Sequence, residues 1–132
     1  MSNSAVLAFD TSSRSPAIYL HWNGDAASVR GFLLAAEELG LGLPDDMGWL
    51  EAQESLMDSL AHMIATRFFG CNVGRHVYRC TYGNADIDAG YGVYLIDFGL
   101  RIVGRRFQAV PDELDDTRTI EIAQTILRGE TA

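Results

Sequence analysis

The segment GVYLIDF, residues 92–98, does most to narrow what this chain can fold into. Val93 to Ile96 are apolar at consecutive positions, so a strand made from them is apolar on both faces, and only Asp97 interrupts it. Such a strand belongs at the centre of a sheet. The chain supplies its neighbours. AVLAFD and AIYLHW, joined by TSSRSP, read as two short strands near the N-terminus. In the second, Ile18, Leu20 and Trp22 alternate with Tyr19 and His21, the period of a half-buried strand. That spacing directs Trp22 into the core. HVYRCTY and LRIVGRRF are further strands on either side of GVYLIDF. The polar GNADIDAG is expected to be the hairpin turn of a three-stranded meander.

Three segments change to a helical period. The first runs from about Asp25 to Leu39, with Asp25 as cap, Val29, Phe32, Leu33 and Ala36 as an apolar stripe, and Gly40 at the C′ position. LGLPDD connects it to a second helix, from about Met47 to Phe69, with Leu56, Leu60, Met63, Ile64 and Phe68 facing inward. A last helix spans about Thr117 to Arg128. Its expected stripe is Ile120, Ala123, Ile126 and Leu127, and Asp115 and Asp116 favour its positive end. The resulting expectation is an α+β fold in the order β-β-α-α-β-β-β-α. It is a single domain over residues 1–132, with an antiparallel sheet of about five strands and three helices packed mainly on one face.

Charge gives the second constraint. The net charge is −8 with no lysine at all. Residues 1–70 carry nine acids and three Arg, residues 71–108 five Arg and three Asp, and residues 109–132 six acids and two Arg. This layout argues against direct binding to nucleic acid or to an anionic membrane. It favours a basic protein or nucleoprotein partner, or a homodimer that pairs the two signs. Plain solubility explains an acidic surface equally well. No run of about 18 apolar residues and no basic leader is present, so a cytoplasmic protein is the simplest expectation. Cys71 and Cys80 are too few for a disulfide scaffold.

Motifs for catalysis and metal binding are weak. Cys71, His76 and Cys80 lack the short Cys-x-x-Cys pairing that zinc favours, so small buried cysteines explain them better. Asn84, Asp86 and Asp88 have the first spacings of a calcium loop, but Ala89 stands where Gly is needed and Leu95 where Glu is needed. His62 follows Asp58 by four residues, which reads as a solvated helix pair. No GxSxG elbow, P-loop or dinucleotide fingerprint occurs. No catalytic residue, metal or cofactor is assigned.

HWNGD, residues 21–25, raises a sharper question. His, Trp and Asn at a strand-to-helix junction can be a ligand site or a structural corner. Asn23-Gly24 is a turn dipeptide, and each residue has a local role there, so the corner is favoured. The same stretch carries a resemblance. YLHWNG opening a helix that reads SVRGFL, followed downstream by DAGYGVYLID, is similar to small proteins found on bacterial plasmids, prophages and other mobile elements. The resemblance covers about a fifth of the chain. It carries no catalytic residues, but it implies a setting in which small acidic proteins inhibit host defence, as anti-CRISPR and anti-restriction proteins do.

Two functional expectations follow. The first is a non-enzymatic inhibitor of a host nucleic-acid-binding defence complex, contacting a basic surface through Asp45, Asp46, Asp112, Glu113, Asp115 and Asp116. The second is a ligand-binding or small catalytic domain that recognises an anionic small molecule on an open sheet face. There Tyr19, His21, Arg79, Arg101 and Arg105 would gather. Cross-strand pairing of those Arg residues with Asp86, Asp88 and Asp97 is the plainer reading of the same face.

Overall fold

The computed structural model describes residues 3–44, 46, 48–85, 89–109 and 111–129. It is an α+β fold around one five-stranded sheet. The strands are β1 (Ala5–Ala8), β2 (Pro16–Leu20), β3 (Val77–Thr81), β4 (Val93–Ile96) and β5 (Ile102–Arg106). Among the described residues three α-helices accompany them: α1 (Ala26–Glu38), α2 (Leu50–Met63) and α3 (Asp116–Arg128). A π-helical segment (Ile64–Phe69) extends α2, and a 3-10 turn (Tyr82–Asn84) follows β3. Neither was expected in the order of elements.

The sheet runs β3-β2-β1-β4-β5. It is mixed, not antiparallel as expected: β4 pairs with β1 in parallel, with Leu7 opposite Tyr94. The expected meander is also corrected. β3 pairs with β2, and only β4 and β5 form an antiparallel pair in that half of the chain. The cause lies in β4. Apolar on both faces, it takes an interior place between β1 and β5, while the more polar VYRCT of β3 takes the edge. β3 therefore runs parallel to β4, and no hairpin can join them.

The segment between β3 and β4 has a different task. Tyr82, Ala85 and Ala89 pack under the sheet against Val6, Ala8, Ala17 and Val93, all of which are fully buried. This second, small core closes much of the face that was expected to be open. Asp86 and Asp88, the remainder of the calcium-like spacing, lie outside the described residues.

The main core lies on the other face. Leu7, Ile18, Leu20, Tyr94 and Ile96 meet Val29, Phe32 and Leu33 of α1 and Leu56, Met57 and Leu60 of α2. Asp25 caps α1 as expected, its carboxylate accepting from the Ser28 N–H at 3.3 Å. α3 packs chiefly on α1 and on the π-helical segment. Gly31 permits this close approach: a Cβ there would stand 2.8 Å from Ile122. The inward residues of α3 are Thr119, Ile122, Ala123 and Ile126. Ile120 and Leu127, expected inside, are exposed. The side of α3 that meets α1 carries Thr119 and Ile122, so the buried stripe lies part of a turn round from the expected one.

Trp22 is another correction. β2 ends at Leu20, and the backbone turns through Asn23 at φ 58. The alternation that pointed Trp22 inward therefore stops short of it, and its side chain is 45% exposed. His21 packs edge-on against it, with ring centroids 4.7 Å apart.

Candidate functional site

The corner at Trp22–Asn23 and the acidic stretch at 112–116 were singled out separately in the sequence. The fold brings them together. A polar groove of about 610 Å³ runs between them, with Trp22, Asn23 and Asp25 on one wall and Glu113, Asp115 and Asp116 on the other. Arg118 is the one cation among its lining residues.

Each wall is held by local chemistry. Asn23 adopts the left-handed conformation that Asn tolerates better than most residues, and its Nδ2 donates to Ser28 Oγ at 3.3 Å. Gly24 passes so close to the N-terminal strand that a Cβ would stand 2.7 Å from Asn3 O. Asp115 caps α3 by accepting from the Arg118 N–H at 3.0 Å. Arg118 reaches across to Asp25 and Ser28 at 3.5 and 3.2 Å, joining the two walls. Asp116 is strongly exposed and lies 3.4 Å from Arg30, a weak pair in water. Leu114, 71% exposed, stands at the lip beside them.

Asp112 differs from the acids around it. Its side chain is only 4% exposed. It accepts from Arg105 at 3.0 Å, from the Ala26 N–H at 2.8 Å and from the Tyr94 hydroxyl at 3.3 Å. It is a buried anchor rather than a surface contact, and the expectation that it meets a partner is corrected on that ground. Burial holds the Tyr94 hydroxyl far above its ordinary range; Arg105 opposes this and Asp112 adds to it. Of the other expected acids, Asp46 is exposed but lies away from the groove lining, and Asp45 lies outside the described residues. Asp25, legible in the sequence only as a cap, also lines the groove.

The Arg/Tyr/His face is not assembled. Tyr19 and His21 lie on the face away from the helices, where Tyr19 also meets Tyr78 at 6.0 Å between ring centroids. Arg79 and Arg105 lie toward the helices on opposite edge strands. Arg79 pairs with Glu54 and Asp58 of α2. Its Nε donates to Ala17 O at 3.2 Å. Arg105 lies over the Tyr94 ring at 4.2 Å. Arg101 is exposed in the turn before β5, and Asp97 accepts from its backbone N–H at 3.0 Å. For Arg79 and Arg105 the expected pairing with Asp97 is thus replaced by pairing with α2 and with Asp112, while Arg101 meets Asp97 through its backbone. Asp58 being bound to Arg79, it does not form the expected pair with His62.

Among the described residues no three His, Cys, Asp or Glu side chains are placed to hold a metal ion. Cys71 and Cys80 are free and half-buried. Burial raises the Cys80 thiol above its usual range, with Arg79 partly offsetting it. No helix among the described residues is long and apolar enough to cross a membrane. Comparison with protein-family models, with curated proteins and with solved structures finds no match to the chain.

Proposed function

We propose that the chain is a non-enzymatic binding protein whose groove receives a basic segment of a protein partner. One observation carries this reading: Trp22, an exposed indole, shares a groove with the carboxylates of Asp25, Glu113, Asp115 and Asp116. An indole face attracts Arg and Lys by cation–π interaction, and carboxylates beside it supply charge-assisted hydrogen bonds. The partner class that best fits is a nucleic-acid-binding protein, because such proteins present rows of Arg and Lys. Inhibition of a host defence complex is the specific form of this reading, and its support is the resemblance to mobile-element proteins.

The test is a pull-down from host lysate at low and high salt, comparing the wild type with a Trp22→Ala/Glu113→Gln/Asp116→Asn variant. Recovery of a nucleic-acid-binding complex by the wild type, lost in high salt and lost by the variant, supports the reading. Equal recovery by both proteins, or recovery insensitive to salt, overturns it.

A further inference from the structure

Leu114 borders two cavities. Beside the acidic groove, a cleft of about 540 Å³ opens between α1, the β4–β5 hairpin and Leu114. Its cations are Arg30, Arg101 and Arg105, against Glu37 as the facing acid. Its apolar wall is made by Leu33, Leu34 and Leu114. Leu34 and Leu114 leave large apolar side chains in contact with water at the cleft mouth.

The three guanidiniums differ in how far they are committed, and Arg30 gives Nη1 to Asp116 at 3.4 Å. Arg105 gives Nη1 to Asp112 and Nη2 to Tyr91 O, but its buried Nε has no acceptor among the described residues. Arg101 forms no ion pair among the described residues. The turn that presents it is made at a cost: the preceding Leu100 is buried at φ 63, a conformation rare for a bulky side chain. The strained turn thus presents, at the rim of an apolar cleft, a cation that has no ion pair among the described residues.

From this we infer that the cleft binds an amphipathic organic anion, a carboxylate on a compact apolar body. The head group would pair with Arg101 at the cleft rim, with the guanidiniums of Arg30 and Arg105 adding positive charge, and the body would lie against Leu33, Leu34 and Leu114. The volume falls in the range of about 300–1,000 Å³ usual for small-molecule sites, and apolar walls with a few placed polar groups are their usual lining. The cleft adjoins the acidic groove, sharing Leu114 with it, and Arg30 and Arg105 pair with Asp116 and Asp112 between the two. A small-anion probe separates this inference from the basic-partner reading, because its binding needs no protein partner.

The test uses octanoate as probe, with octanol and acetate as controls, read by calorimetry and by the thermal midpoint. Octanoate is expected to bind saturably and raise the midpoint, while neither control does. Arg101→Gln and Leu34→Asn, both at exposed positions, are each expected to weaken octanoate at least about tenfold without lowering the midpoint of the free protein. No saturable octanoate binding overturns the inference. So does equal binding of octanol, which would show that the cations recognise nothing, or unchanged affinity in both variants.

Discussion

The Asp112 carboxylate accepts a hydrogen bond from the Ala26 backbone N–H at 2.8 Å, across 86 positions of sequence. It thereby ties the stretch before α3 to the first turn of α1, whose leading N–H groups have no partner within the helix. Arg105 and Tyr94 complete the junction. Removing this one carboxylate leaves a largely buried guanidinium without its counter-charge. Asp112→Ala is expected to cost about 3 kcal/mol or more in urea unfolding, and Asp112→Asn less, because the amide oxygen can still accept from Ala26. A loss below about 1 kcal/mol for Asp112→Ala would show that the junction is not structural.

Trp22→Ala separates the site from the core. A buried Trp truncated to Ala costs about 3–5 kcal/mol. Trp22 is half-exposed, so the expected loss is about 1 kcal/mol or less, accompanied by weaker partner binding. A large loss of stability would return Trp22 to the core and remove the indole from the proposed groove.

The sequence revealed the elements better than their pairing. α1 was legible to within a residue because Asp25 caps it and Gly40 ends it at φ 79, both local signals. The interior place of β4 was legible from VYLI, whose two apolar faces demand neighbours. The parallel pairing of β1 with β4 was not, because register between distant strands leaves no trace in local periodicity. Arg79 shows the consequence for sites. Its alternation within β3 predicts an open sheet face, yet the helix side there is bordered by Glu54 and Asp58, which neutralise it. The acids of the groove were visible as a cluster in sequence. Their meeting with Trp22 depended on the tertiary tie through Asp112 and could not be read along the chain.

Gly31→Ala sets two effects against each other. In a helix interior Ala is favoured over Gly by about 1 kcal/mol. At Gly31, however, a Cβ would lie 2.8 Å from Ile122 Cγ2 and 2.9 Å from Thr119 O, and the backbone oxygen cannot swing away. The packing penalty is expected to win, at about 1–3 kcal/mol, with α3 displaced from α1. Thermal unfolding and amide exchange in α3 would measure it. An increase in stability would mean that the α1–α3 contact is looser than described.

Tyr94 governs a final expectation, an alkaline loss of stability. Its hydroxyl donates to Gly24 O at 2.7 Å and faces the Asp112 carboxylate, so a phenolate there would lose a donor and meet a like charge. The folded state therefore holds this proton far above the ordinary value of 10.0. Above that value the unfolded chain releases the proton while the folded chain keeps it, so rising pH favours unfolding. The stabilisation is fully present below pH 10.0 and declines as pH rises toward the folded group's own titration. Cys80, raised from 9.0, adds in the same direction starting from lower pH. Urea unfolding between about pH 8 and pH 11 should show stability falling at the alkaline end. Tyr94→Phe should lose about 1 kcal/mol at neutral pH, for the missing bond to Gly24, and should fall less steeply in alkali. Parallel curves for the two proteins would mean that the hydroxyl titrates normally, and that its burial between Gly24 and Asp112 is not the cause of any alkaline loss.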